Sequence, residues 1–315
     1  RPDLLGQDAD KLAAQLYDTL FDYFAKLPDG VIIYPSHGHG SPCGADIGDR
    51  LESTVGYEKR HNPFLQKSDQ KEFIEHALST APPEPTYYKR MKKENAAGPA
   101  ILGALPKIPA LSPAAFQEAL RRDDSELIDT RDMLAFGGGH IRGALNIGAS
   151  PMLTVWAGWM LDPEKPNLLV LDDDAAAEEV AAFFVRSGYT RFTGYLAGGM
   201  SAWDKSGGQL EQIAQMTVHE VESCANDLQV LDVRAPSEWE AGHIPCARHV
   251  FLPEIRDLSD EWDRTQPVIT YCASGYRASI GASLLKRKGF EDVRNMPGSW
   301  AAWKNAALPV ITENS

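Results

Sequence analysis

Short apolar runs rich in β-branched residues alternate along this chain with stretches of helical periodicity. VLDV (230–233) and VITY (268–271) read as buried parallel strands. Residues 276–288, YRASIGASLLKRK, put Ile280, Leu284 and Leu285 on one helical face and stop at Gly289. Residues 176–186 repeat that pattern before Gly188. Alternating strands and helices predict an α/β sandwich, with helices on both faces of a mostly parallel sheet. The first hundred or so residues also predict an α/β arrangement. An amphipathic helix over 8–26 carries Leu12, Leu16, Leu20 and Phe24, and VIIY (31–34) is a strand. A Gly/His/Pro loop follows, then a helix over 69–80. Pro82-Pro83-x-Pro85 opens an extended stretch, and 96–109 read as a linker.

The pattern is duplicated. NLLVLDDDAAAEEVAAFF (167–184) aligns without a gap with PVITYCASGYRASIGASL (267–284), at an offset of 100. LIDTRDMLAFGGGHIRGALNI (127–147) matches VLDVRAPSEWEAGHIPCARHV (230–250) at an offset of 103. Asp129/Asp232, Arg131/Arg234, Gly139/Gly242, His140/His243, Ile141/Ile244 and Ala144/Ala247 coincide there. GGMSAW (198–203) pairs with GSWAAW (298–303). Two units of about 100 residues suit two domains better than a solenoid, whose repeats are shorter. The predicted regions are 1–107, with no repeat partner, 108–210 and 211–315.

Composition narrows the function classes. The 31 basic and 44 acidic residues give a net charge of −13, which disfavours nucleic acid. The one basic cluster, Lys89-Arg90-Met91-Lys92-Lys93, is short. No apolar run approaches the ~20 residues that span a bilayer. Cys43, Cys224, Cys246 and Cys272 lie far apart, so neither a disulfide framework nor a zinc knuckle is expected. A reducing, cytoplasmic setting follows as the expectation. The chain opens RPDLLGQDAD, with no initiator Met and no charged-then-apolar leader, and reads as a segment of something longer.

The two aligned loops differ in chemistry. Cys272 stands opposite Asp172, Gly275 opposite Ala175 and Arg277 opposite Ala177. Cys272 ends a predicted strand just before a helix, where backbone N–H groups and the helix N-terminus converge and favour a thiolate. Ala273, Ser274 and Gly275 are small enough for the backbone to curl round a sulfur, with Tyr276 completing the loop before the Arg277 charge. Only the second copy can do thiol chemistry. Asp232 and Arg234, with Glu238 nearby, suit an ion pair holding the loop. Because Asp, Arg and His (His243) recur in the copy without a cysteine, they read as structural support. Three successive carboxylates, Asp172 to Asp174, point different ways and read as a lost site with a docking or spacer role.

The C-x-x-G-x-R loop, the upstream D-V-R and G-H-I-P, and the downstream G-S-W-x-x-W resemble the rhodanese (sulfurtransferase) family. The resemblance covers 211–315 fully and 108–210 with a degenerate loop. It implies that Cys272 accepts a sulfane sulfur as a persulfide and passes it to a thiophilic acceptor. Phosphatases of the same fold have five residues between Cys and Arg; the four here should fit a sulfur atom better than a phosphate. Further upstream, RPDL, Y-P-x-H-G, STVGYEKRHNP (53–63) and PPEPTYYKRMKKENAAGPA (82–100) resemble the C-terminal part of a metallo-β-lactamase-fold protein. The likeness is nearest to the glyoxalase-II and persulfide-dioxygenase branch, above all to members fused to two rhodanese domains. His37 matches that family's last metal-ligand histidine, so the site is incomplete in this chain.

The resemblance implies no cofactor for the chain as given and iron, or zinc, in a full-length parent. It implies low-molecular-weight thiol persulfides, thiosulfate or sulfite as small-molecule partners, with no nucleic acid or membrane partner and room for a homo-oligomer. The expected activity is sulfur transfer within a fusion enzyme of persulfide oxidation. The alternatives are a zinc thioester hydrolase of the glyoxalase-II type, and rhodanese repeats serving as persulfide-sensing modules.

Overall fold

The computed structural model describes residues 8–38, 47–223, 227–258 and 262–312. The chain forms two compact units, Arg1–Gly98 and Pro99–Ser315.

The first unit is mostly helical. Asp8 caps α1 (Ala9–Asp18) by accepting from the N–H groups of Asp10 and Lys11. The expected helix over 8–26 is continuous but changes pitch, running on as a π turn over Thr19–Tyr23 and a 3-10 turn over Phe24–Lys26. Thr19 Oγ1 donates back to Gln15 O at 2.8 Å at the join, a contact that competes with the regular ladder. The strand expected at 31–34 shrinks to β1 (Ile32–Ile33), paired antiparallel with β2 (Ser53–Thr54). After α2 (Val55–His61), α3 (Gln70–Ser79) brings Phe73 into the core, fully buried. Tyr17, Phe21 and Phe64 meet its ring edge-on, with centroids 5.4, 6.2 and 5.7 Å away.

The stretch expected to stay extended after Pro85 instead forms α4 (Tyr88–Ala97). YKRMKKENAA is composed of good helix formers, and Arg90 pairs with Glu94 one turn on at 3.5 Å. Gly98, at φ +86°, ends the helix, so irregular chain begins later than position 96.

The second unit holds two five-stranded sheets of identical order. The first is built from β3 (Ala110–Leu111), β4 (Glu126–Asp129), β5 (Leu145–Asn146), β6 (Asn167–Val170) and β7 (Phe192–Leu196). Between them run α5 (Pro113–Arg122), α6 (Met133–Gly138), α7 (Pro151–Met160) and α8 (Ala177–Arg186), and α9 (Gly199–Lys205) follows β7. The second is built from β8 (Ala214–Gln215), β9 (Gln229–Asp232), β10 (Ala247–His249), β11 (Val268–Tyr271) and β12 (Val293–Asn295). Its helices are α10 (Val218–Ser223), α11 (Pro236–Glu240), α12 (Tyr276–Arg287) and α13 (Ser299–Asn305). The spatial orders, β3-β7-β6-β4-β5 and β8-β12-β11-β9-β10, are the same fold written twice. Every strand pair in both sheets is parallel. The central strands β6 and β11 are buried throughout, as apolar strands covered by helices on both faces must be.

The periodicity gave α12 one apolar face, yet every residue from Ala278 to Leu285 is buried. Its small and polar side meets the first repeat rather than water. Ser279 Oγ donates to Asn146 Oδ1 at 2.5 Å, and the Asn146 N–H donates to Ser283 Oγ at 3.1 Å. Arg287 adds bonds to Gly143 O (2.8 Å) and Leu127 O (2.9 Å), and pairs with Glu126 at 3.1 Å. One apolar core includes residues of both repeats. Among the described residues no helix is long and apolar enough to cross a membrane.

Candidate active site

Cys272 follows β11 directly, and the chain turns through Ala273, Ser274 and Gly275 into α12. The turn needs φ +98° at Gly275, which glycine adopts without strain. A Cβ at Gly275 would also stand 2.6 Å from Met133 Sδ and run into the Pro297 carbonyl. With glycine in place, the Gly275 N–H points at Cys272 Sγ across 3.1 Å. Cys272 is 1% exposed, Ala273 half-buried and Ser274 exposed, so the loop shows its small tip to solvent and keeps the sulfur within.

α13 anchors the loop from beneath. The Cys272 N–H donates to Ser299 Oγ at 3.1 Å, and that hydroxyl donates to Met296 O at 2.7 Å. The N–H groups of Trp300 and Ala301 donate to Cys272 O and Ala273 O at 2.9 and 3.0 Å. Ser299 is fully buried at φ +47°, a region that costs a non-glycine residue about 1–2 kcal/mol. The sequence flagged GSWAAW as a repeat and gave Ser299 no role. The available signal was a serine where the first repeat has Gly199, itself at φ +57°.

Arg277 leaves the first turn of α12 and binds Glu238 of α11 with both guanidinium nitrogens, at 2.5 and 2.8 Å. Glu238 thus accepts its side-chain hydrogen bonds from Arg277, while its charge still acts on the nearby Arg234. Burial opposes ionisation of Glu238, but the Arg277 hydrogen bond and charge and the Ala235 N–H hold its carboxyl below the usual range. Burial likewise opposes the Arg277 charge; Glu238 and the adjacent Cys272 sulfur outweigh it and push the guanidinium pKa up. Tyr276 turns away from the sulfur, its hydroxyl donating to Gly148 O of the first repeat at 2.7 Å.

Asp232 and Arg234 pair with each other, and His243 packs on α11. Arg234 Nε lies 3.0 and 2.9 Å from the two Asp232 oxygens, Nη2 lies 2.6 Å from Oδ2, and Nη2 also donates to Gly242 O at 2.8 Å. His243 Nδ1 lies 3.1 Å from Trp239 O, with its ring stacked on Trp239 at 3.4 Å. Asp129, Arg131 and His140 repeat this arrangement in the copy without a cysteine. Arg131 Nη2 is 2.6 Å from Asp129 and 2.8 Å from Gly139 O, and His140 Nδ1 is 3.0 Å from Phe136 O. Burial pushes the His140 pKa down.

The degenerate loop is differently built. Asp172, Asp173 and Asp174 are exposed. Asp173 caps a 3-10 turn by accepting from Ala175 N at 2.9 Å, and Asp174 accepts from Gly198 N at 3.0 and 3.1 Å. The Asp174 carboxylate thus fastens this loop to its GGMSAW turn, where Ser299 fastens the other.

His37 is exposed on the first unit. Among the described residues no three His, Cys, Asp or Glu side chains are placed to hold a metal ion, so those residues do not fit an iron or zinc site. Cys43, Cys224 and RPDL lie outside the described residues. Cys246 is half-buried, and burial pushes its thiol up.

Known proteins resemble this arrangement. The thiosulfate sulfurtransferase GlpE of Pseudoalteromonas translucida (strain TAC 125) is 36% identical over 80 residues, covering 25% of this chain and 76% of that protein. The uncharacterized protein YqhL of Bacillus subtilis (strain 168) is 31% identical over 88 residues, 28% of this chain and 70% of that one. A metallo-beta-lactamase crystal structure from Staphylococcus aureus subsp. aureus COL aligns with a TM-score of 0.52 and 29% identity over 62% of this chain. The match spans 53% of that protein, about half its length. The family description Rhodanese-like domain matches twice, at residues 112–206 and 217–306, more than half of the sequence and both parallel sheets; the chain belongs to the rhodanese-like domain family.

Proposed function

We propose that this chain is a sulfurtransferase that carries sulfane sulfur as a persulfide on Cys272. The observation behind the reading is the Gly275 N–H aimed at Cys272 Sγ from 3.1 Å at the start of α12. The Cys272 thiolate attacks the outer sulfur of thiosulfate or of a thiol persulfide. The donor's S–S bond breaks, and sulfite or the thiolate leaves with the electron pair. The new persulfide then gives its outer sulfur to a thiophilic acceptor such as cyanide or sulfite, and the Cys272 thiolate returns. The cycle is redox-neutral and needs no other reactant. Loop N–H groups and the α12 N-terminus stabilise the anion before and after transfer.

The first unit reads as the C-terminal portion of a metallo-β-lactamase-fold domain, 1–107 with its linker, in a parent that oxidises persulfides. The likeness to the Staphylococcus aureus structure supports that reading. The described residues do not fit a metal, so no iron or zinc step is assigned to this chain. Joining two sulfur-handling centres in one polypeptide would raise the effective concentration of the species passed between them.

The test loads the chain with thiosulfate and follows thiocyanate formation from cyanide. The peptide holding Cys272 should gain one sulfur, ~32 Da, and Cys272→Ser should abolish turnover. More than a few per cent of turnover in that variant would remove Cys272 from the mechanism. Loading without turnover would favour a persulfide-sensing module.

A further inference from the structure

We propose that the first repeat, which has no cysteine of its own, governs which sulfur donors reach Cys272, with Met133 as the specificity-determining side chain. The inference rests on the sulfurtransferase reading and adds a residue from the opposite repeat to it. Met133 is the first residue of α6, one position after the Asp132 cap, and is half-buried. Its Sδ and Cε lie where a Cβ on Gly275 would be, 2.6 and 2.8 Å from that position. Gly275 is the residue whose N–H holds the reactive sulfur. A thioether of one repeat therefore packs where a side chain on Gly275 of the other would stand.

The contact is held in place around its edge. The Tyr276 hydroxyl donates to Gly148 O at 2.7 Å, and a Cβ on Gly148 would already touch the Tyr276 ring at 3.4 Å. Ser279 and Ser283 bind Asn146, and Arg287 pairs with Glu126. These bonds tie both ends of α12 to the first repeat and hold that repeat against the loop. The loop itself offers only small side chains, Ala273 and Ser274, near the sulfur. The bulk beside Gly275 comes from Met133 and from the Pro297 carbonyl, and of the two only Met133 is a side chain from the first repeat. An inorganic donor such as thiosulfate presents little beyond its own oxygens. A peptide-thiol persulfide has to lay its chain past the thioether. Met133 thus favours small donors over bulky ones.

The experiment uses the full chain with Met133→Ala, Met133→Leu and Met133→Phe, and measures kcat/KM for thiosulfate and for glutathione persulfide. Met133→Ala should raise the glutathione persulfide to thiosulfate ratio at least five-fold. Met133→Leu, nearly isosteric, should keep it within two-fold, and Met133→Phe should lower it. A ratio unchanged within two-fold in both the Ala and Phe variants overturns the proposal, as does an equal loss for both donors. Alkylation of Cys272 by iodoacetamide and by a glutathione-sized maleimide reports the same discrimination without catalysis. If the wild-type chain moves no sulfur, the sulfurtransferase reading fails. The alkylation ratio then judges Met133 alone, with a rise in Met133→Ala expected and no change overturning it.

Discussion

Arg277 and Glu238 are joined by two hydrogen bonds of 2.5 and 2.8 Å that tie the start of α12 to α11 beside the sulfur loop. The two residues are 39 positions apart, and a fork-to-carboxylate pair fixes the guanidinium plane as well as its charge. Arg277→Ala should raise KM for anionic donors such as thiosulfate several-fold more than for an uncharged trisulfide. Glu238→Ala removes both carboxylate bonds from a half-buried guanidinium and should cost about 1–3 kcal/mol of stability, read by urea unfolding. Equal kinetics for charged and neutral donors in Arg277→Ala would contradict the charge role.

The same pair makes a pH prediction. Glu238 has a folded-state pKa below its ordinary value, so its contribution to stability is fully present above that value, about 4.3. The contribution is lost as pH falls through the lowered value. Glu238→Gln should therefore melt lower than wild type at pH 7, and the gap should narrow as pH falls below the ordinary carboxylate value of about 4.3. A gap that stayed constant from pH 7 to pH 3.5 would show that the carboxylate charge contributes nothing.

Ser299 joins two demands that pull apart, a left-handed backbone and a hydroxyl under Cys272. Ser299→Ala keeps the strained backbone and orphans the Cys272 N–H, so it should lose about 1–3 kcal/mol in thermal or chemical unfolding. Ser299→Gly loses the same hydroxyl but relaxes φ, as Gly199 does in the first repeat, and should lose less. Sulfur transfer should fall in both. Should the alanine variant prove the more stable, the backbone argument fails.

Asp172→Cys in a Cys272→Ser background should not restore sulfur transfer. The first loop is exposed, tied by carboxylates, and has Ala175 and Ala177 where the other has Gly275 and Arg277. Robust thiocyanate formation from that double variant would sink the expectation.

The chain should retain no stoichiometric Fe(II) or Zn(II) after anaerobic loading and desalting, because His37 is the one clear member of the expected ligand set in the sequence. Native mass spectrometry decides it: close to one equivalent, lost on His37→Ala, would reverse the conclusion.

The sequence by itself determined the duplication and set Cys272 apart from its counterpart Asp172. Strands covered on both faces must be apolar throughout, so VLDV and VITY declared themselves. A loop that needs a small residue at φ +98° cannot hide its glycine, so Gly275 and Cys272 stood out against Ala175 and Asp172. Helix α4 was hidden because the prolines before it outweighed a composition that favours helix. What the tertiary structure alone decided were relationships between distant segments. Glu238 looked like a neighbour of Asp232 and Arg234 because it is near them in sequence; only folding brings it to Arg277. Ser279 and Ser283 lie off the Ile280, Leu284 and Leu285 face, and one-dimensional periodicity cannot tell whether such positions meet water or the polar Asn146 of another sheet. Met133 reads as an ordinary apolar helix residue until the two repeats pack and set its sulfur against Gly275. Local pattern encodes which side chains leave water; which partners they then meet depends on how two similar sheets share one core.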